Sequence, residues 1–127
     1  MDLKNFNLKF DNNGLITAIV QDATTKQILM VAFQNLEAVE KTFAEKVMYF
    51  YSRSRNKLWK KGETSGHIQE VVEVLLDCDK DAILYLVNSQ GACCHQGYNS
   101  CFFRKVNDSG DLENLAEKVF NPEEVYK

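Results

Sequence analysis

Two apolar, strand-forming runs, residues 68–76 and 82–88, are separated by only five residues, and three of those five are aspartates. The stretch reads Asp77-Cys78-Asp79-Lys80-Asp81, and it either ends the first strand or forms the connection to the second. If its backbone is extended, side chains alternate faces: the three carboxylates share one side and Cys78 points to the other. The remaining cysteines, Cys93, Cys94 and Cys101, follow together with His95. Oxygen ligands that suit hard ions are thus interleaved with sulfur ligands that suit soft ones, which calls for two different ions.

Around that segment lies enough chain for one modest hydrophobic core, 127 residues of which 45% are hydrophobic and 26% charged. Repeats, collagen and disorder are excluded by such a composition. The net charge of -3 is concentrated at the C-terminal end: residues 107–127 carry six acids against two lysines, leaving 13 basic and 12 acidic residues before them. Bulk charge therefore gives no nucleic-acid signal. No long apolar stretch follows the early lysine, so neither a signal peptide nor a membrane span is expected, and the expected location is cytoplasmic. In that reducing setting four cysteines are read as metal ligands or buried thiols before disulfides.

Residues 1–13 form a lead-in ending at Asn12-Asn13-Gly14. The β-branched runs 15–21 and 28–33 flank a polar turn at 23–27, which predicts a hairpin. Asn35 offers an N-cap, and Leu36, Val39 and Phe43 recur at helical steps to about residue 46. The aromatic-rich segment 47–52 reads as a strand, 53–67 as a long polar loop, 89–91 as a turn and 101–106 as a short strand. Leu112, Leu115, Ala116 and Val119 share one helical face, so 111–119 predicts a terminal helix stopped by Asn121-Pro122. The order β-β-α-β-loop-β-β-loop-β-α argues an α+β domain, a compact, mostly antiparallel sheet with short flanking helices.

Three groups of residues carry chemistry. Asp77, Asp79 and Asp81 fit a Mg²⁺ site with retained waters, or an acidic surface turn; the calcium-loop pattern is absent, with no Gly at its sixth position and no Glu at its twelfth. Cys78, Cys94 and Cys101 fit a catalytic zinc that keeps one position open, or buried reduced thiols. Cys93 and Cys94 are adjacent and cannot easily face one ion, so one is spare. Arg53, Arg55, Lys57, Lys60 and Lys61 place five cations in nine residues, followed by Gly62-Glu63-Thr64-Ser65-Gly66. That loop fits phosphate capture, with Trp59 stacking on a base, or a solvated face with Trp59 packed inward.

Taken together, these segments resemble the phosphoribosyl-AMP cyclohydrolase family of histidine biosynthesis. The likeness rests on Tyr51-Ser52-Arg53-Ser54-Arg55, on Leu58-Trp59-Lys60-Lys61 with the Gly-Glu-Thr-Ser-Gly that follows, and on Leu76 through Ala82. It continues through Gly91-Ala92-Cys93-Cys94-His95 and Ser100-Cys101-Phe102-Phe103, and extends over roughly residues 10–105. The resemblance implies hydrolytic opening of the N1–C6 bond of the adenine ring of 1-(5-phosphoribosyl)-AMP. It implies Mg²⁺ on Asp77, Asp79 and Asp81, and one Zn²⁺ per subunit on Cys78, Cys94 and Cys101, activating water with Mg²⁺ assistance. It also implies a homodimer whose zinc site draws cysteines from both subunits, with no nucleic-acid or membrane partner.

His95 is the candidate for proton transfer, because an imidazole can both give and take a proton. Arg53, Arg55, Lys60, Thr64 and Ser65 are candidate phosphate or ribose contacts. Trp59, Glu63 and His67 complete the candidate substrate site. Two positions depart from the family pattern: Cys93 where Ala is common, and His67 where Asn is often found. The cyclohydrolase domain is expected over 1–106, with 107–127 a helical tail and no separate domain. Some relatives continue into a phosphoribosyl-ATP pyrophosphatase unit, for which this chain is too short, so the monofunctional form is expected. Zinc nucleotide deaminases carry H-x-E and P-C-x-x-C signatures that are absent here. A zinc-stabilised RNA-binding module would need a broader basic surface.

Overall fold

The computed structural model of the chain describes residues 6–89 and 98–115. Its elements are β1 (Ile16–Asp22), β2 (Ile28–Gln34), α1 (Leu36–Glu45), β3 (Tyr49–Ser52), β4 (Lys57–Lys60), β5 (Gln69–Leu76), β6 (Ala82–Ser89), β7 (Arg104–Val106) and β8 (Leu112–Asn114). Four strands form the central sheet in the order β2-β1-β6-β5; β3 with β4 and β7 with β8 form two small hairpins. The α+β class is as expected, with α1 the helix among the described residues. The pairs β1–β2 and β5–β6 are antiparallel, whereas β1 and β6 run parallel.

Strand alternation builds the core. Ile16, Ala18 and Val20 of β1 and Ile83, Tyr85 and Val87 of β6 are buried on one face. Val39 and Phe43 of α1, with Met48 and Phe50, close over them. Asn35 caps α1 by accepting from the Ala38 N–H at 2.9 Å, and Lys46 ends it in the left-handed conformation. Leu36 belongs to the expected apolar stripe but is exposed; Ala38 and Thr42 are buried beside Val39 and Phe43 instead. The lead-in contributes Phe6, Leu8 and Phe10 to the edge of the core.

A buried polar relay joins helix, sheet and hairpin. The Tyr85 hydroxyl donates to Gln34 Oε1 at 2.8 Å, and Gln34 Nε2 donates to the Tyr49 carbonyl at 2.8 Å and to Thr42 Oγ1 at 3.2 Å. The Tyr49 N–H donates in turn to Thr42 Oγ1 at 3.0 Å. Each buried polar group so supplied avoids the cost of desolvation without a partner. The β3–β4 hairpin is thereby pinned beside the end of β2.

Three expectations need correction. Residues 53–67 are not all loop, because Lys57–Lys60 returns as β4 and pairs with β3. A cross-strand aromatic contact drives it: Phe50 opposes Trp59 with ring centroids 4.9 Å apart. Next, the start of the expected terminal helix is the strand β8. Gly110 at φ +83° and the Asn107 side chain, which accepts from the Ser109 and Asp111 N–H groups, fold the chain back so that Val106 pairs with Leu112. Residues 116–119 lie outside the described residues, as do 90–91 of the expected turn. Finally, the strand expected over 101–106 is shorter, since Cys101, Phe102 and Phe103 precede β7. Among the described residues no helix is long and apolar enough to cross a membrane.

Candidate active site

The five-residue interruption between β5 and β6 is a turn, not extended backbone. The Lys80 N–H donates to the Asp77 carbonyl at 3.1 Å, and Lys80 itself has φ 60°. Asp77 organises this turn, its Oδ1 accepting from the backbone N–H of Asp81 at 3.1 Å and of Ala82 at 3.2 Å. Asp77, Asp79 and Asp81 still converge, with ligand oxygens that all lie within 4.8 Å of one another on the exposed surface. The lead-in strap braces the turn, the Lys9 N–H donating to the Lys80 carbonyl at 2.8 Å.

Electrostatics follow from that crowding. Desolvation pushes the Asp77 carboxyl up, but hydrogen bonds from Asp81 and from the Ala82 and Asp81 N–H groups together hold it below the usual carboxylate range. Asp81 moves the other way, raised by its hydrogen bond to Asp77, by desolvation and by the neighbouring negative charges. Three converging carboxylates in one exposed turn make a donor set that a hard divalent cation would neutralise, so these residues fit such an ion.

A second feature lies at the same end of the sheet. A cleft of about 620 Å³ is lined by Val31, Ala32 and Phe33 of β2, by Tyr51 and Ser52 of β3, and by Arg53, Ser54 and Trp59. Phe33 pairs with Thr17, and Thr17 with Ala82, which follows the aspartate turn. Two strand spacings therefore separate the Phe33 and Ala82 backbones, about 10 Å. The Arg53 guanidinium carbon lies 4.1 Å from the centre of the Phe33 ring. Trp59, braced on Phe50, contributes to the cleft while packing on the core. The turn that carries Arg53 and Arg55 is tied down by the Ser52 hydroxyl, which accepts the Arg55 N–H at 3.3 Å.

Beyond β4, Gly62 adopts φ +87°, and a Cβ there would stand 2.5 Å from the Ile68 nitrogen. Only glycine lets the chain close this loop on itself, with the Gly66 N–H donating to the Gly62 carbonyl at 2.8 Å. Glu63 and Thr64 are exposed on the loop, while Ser65 and His67 are half-buried, the Ser65 hydroxyl accepting the His67 N–H at 3.1 Å. Arg53 and Trp59 thus reach the cleft; Arg55, Lys60, Glu63, Thr64, Ser65 and His67 do not line it. Lys61, which looks like part of a solvated basic run, is buried, its ammonium 5.9 Å from the Trp59 ring centre.

The cysteines divide. Cys78 lies in the aspartate turn, exposed, with its thiol 3.8 Å from Asp79 Oδ1. Cys101 is also exposed but lies beside the start of β2, its N–H donating to the Leu29 carbonyl at 2.7 Å. Leu29 is at the opposite end of the sheet from the aspartate turn, and β2 and β5 are the two edge strands. The separation along and across the strands is on the order of 20 Å. One chain therefore does not bring Cys78 and Cys101 onto one ion. Cys93, Cys94 and His95 lie outside the described residues. Val31, Ala32, Phe33, Tyr51, Ser52 and Ser54 line the cleft without having been candidate site residues; Tyr51, Ser52 and Ser54 stand in the family-like motif around Arg53, and for β2 the outward positions were the available signal.

The sequence pattern that defines phosphoribosyl-AMP cyclohydrolases matches residues 30–103, more than half of the chain. Among curated proteins, the phosphoribosyl-AMP cyclohydrolase of Methanospirillum hungatei is 53% identical over 120 residues, covering 94% of this chain and 88% of that protein. Those of Methanococcoides burtonii and Methanosarcina mazei are each 55% identical, covering 94% of this chain and 95% and 96% of theirs. Identity of this order over 94% of the chain, together with the family match, means that the chain belongs to the phosphoribosyl-AMP cyclohydrolase family of enzymes.

Proposed function

We propose that this protein adds water at C6 of the adenine ring of 1-(5-phosphoribosyl)-AMP and breaks the N1–C6 bond, giving the ring-opened ProFAR intermediate of histidine biosynthesis. The observation that carries this reading is the convergence of a three-carboxylate turn and an arginine-bearing cleft at one end of the sheet. The substrate has one monophosphate on each ribose, so it needs a cationic grip at one place and a cation-binding turn near the reacting ring. Arg53 and Trp59 serve the cleft; Arg55 of the same turn, Lys60 of β4, and Glu63, Thr64, Ser65 and His67 of the loop after it are the further substrate contacts of this reading. Arginine suits this task because its fork of donors matches phosphate oxygens.

Asp77, Asp79 and Asp81 would hold Mg²⁺. Cys78, with Cys94 and Cys101 of a second copy, would hold Zn²⁺, a sharing supported by the distance between Cys78 and Cys101 within one chain. Zinc bound there would act as the Lewis acid that makes water nucleophilic at neutral pH. His95 takes a proton from the attacking water or delivers one to N1, so that N1 leaves as the N–H of a formamidine and C6 becomes a carboxamide carbonyl. The homodimer is then a condition of activity, because neither copy completes a zinc site by itself. The cytoplasm, where its nucleotide substrate is made, is its working compartment.

The test is an absorbance assay with fresh phosphoribosyl-AMP and protein stripped by chelator, with Zn²⁺ and Mg²⁺ restored singly and together. Formation of ProFAR without ammonia, requiring both ions, is the expected result. Ammonia release would reassign the chain to deamination, and absence of turnover in the fully metallated protein would reject the reading. Replacing His95 by Gln should leave zinc content unchanged and lower turnover by about 10²-fold or more.

A further inference from the structure

Arg53 is exposed, and among the described residues no carboxylate pairs with it. It meets an aromatic face instead: the guanidinium carbon sits 4.1 Å from the Phe33 ring centre, in the cleft that both residues line. Phe33 is half-buried on the edge strand β2, and its backbone is held by pairing with Thr17 of β1. The sheet therefore fixes where the ring is attached, whereas Arg53 belongs to a turn and has a long, rotatable side chain. A cation over an aromatic face is attracted to it, and a guanidinium lying there keeps its in-plane N–H donors directed outward.

We infer that Phe33 is a positioning residue: it orients Arg53 so that the guanidinium edge meets a substrate phosphate in the cleft. This rests on the functional reading above and deepens it. Three features favour a role beyond packing. The ring lines the cleft at a point where the described residues offer the arginine no anion. The Ser52 hydroxyl holds the arginine turn in place. A leucine at position 33 would fill the same half-buried place but present no π-face.

The experiment is a double-mutant cycle with Phe33→Leu and Arg53→Ala, read as KM and kcat for phosphoribosyl-AMP, with AMP affinity measured calorimetrically on the same proteins. Phe33→Leu should raise KM about five-fold, the loss of one cation–aromatic contact, with kcat within about two-fold of wild type. In the Arg53→Ala background the same change should have no further effect on KM or on AMP affinity. Phe33→Tyr, which restores an aromatic face, should bring KM back. Equal effects of Phe33→Leu with and without Arg53, or failure of Phe33→Tyr to rescue, would overturn the inference. A wild-type enzyme that binds AMP but does not open the ring would sink the cyclohydrolase reading alone, since the AMP cycle reports the Phe33–Arg53 coupling without turnover.

Discussion

Replacing Gln34 by Leu should cost roughly 3 kcal/mol, although a leucine fills nearly the same volume. Gln34, Thr42 and Tyr85 are all essentially inaccessible to solvent. Burial pushes the Tyr85 phenol pKa up, partly offset by its hydrogen bond to Gln34, so Tyr85 remains a donor at any working pH. Without Gln34 Oε1 its proton has no acceptor, which costs about 1–3 kcal/mol. The Tyr49 carbonyl loses its 2.8 Å donor and keeps only the longer contact to Thr42 Oγ1 at 3.4 Å, roughly another 1 kcal/mol. At this chain length such a loss lowers Tm by about 10 °C.

The assay is urea unfolding, followed by circular dichroism and by fluorescence of Trp59, the only tryptophan, which lies on the hairpin that Gln34 pins. Tyr85→Phe supplies the second side of a cycle. In the double variant the stranded hydroxyl is gone, so the combined loss should fall short of the sum by about 1–2 kcal/mol. A cost below about 1 kcal/mol for Gln34→Leu, or strict additivity with Tyr85→Phe, would refute the relay as a source of stability.

Gly62→Ala should destabilise by about 2–4 kcal/mol, since alanine is strained at φ +87° and its Cβ would collide with the Ile68 backbone; urea melts and limited proteolysis at 62–67 check it. If the zinc site is shared as proposed, Cys78→Ser and Cys101→Ser should each be inactive alone, yet mixing and reassorting the two should restore about a quarter of wild-type activity, because about half of the dimers are then mixed and each of those holds one intact site of two. Recovery of no activity would place the zinc ligands within one chain. Asp22 is held below the usual carboxylate range by the Thr25 N–H first, then by Thr24, the Thr25 hydroxyl and Lys26, against a smaller desolvation effect. Its contribution is present above the unfolded carboxyl pKa and is lost as pH falls through the folded one. Asp22→Asn should therefore flatten the decline of stability below about pH 4, by less than about 1 kcal/mol for so exposed a group, read from urea midpoints at pH 3 and pH 7.

Local signals in the chain were reliable where the structure they specify is local. The turn at 23–27, the Asn35 cap and the aspartate cluster each depend on neighbours a few residues away. β4 was hidden because its hallmark is Trp59 opposing Phe50, a pairing visible only once the hairpin closes. The helical spacing of Leu112 and Leu115 misled because both side chains are exposed, with no core for such a face to meet. Phe33 could not be seen as a partner of Arg53, since nothing in the order of residues says that β3 follows β2 back along the cleft. The division of Cys78 from Cys101 likewise depends on which strands are edges, which the sheet order decides.

The parallel pairing of β1 with β6 has a kinetic consequence. Each antiparallel strand pair, β1–β2, β3–β4, β5–β6 and β7–β8, is a hairpin of sequence neighbours and closes at little cost in chain entropy. Thr17 must wait for Ala82. The cleft side of the site is built on the first two hairpins and the acidic turn on the third, so they become one site only when the long-range central seam forms. That seam is the high-contact-order step, which sets the folding rate. During synthesis the edge of β1 that β6 will cover stays unpaired until β6 has emerged, and in that interval it is a template for pairing with another chain.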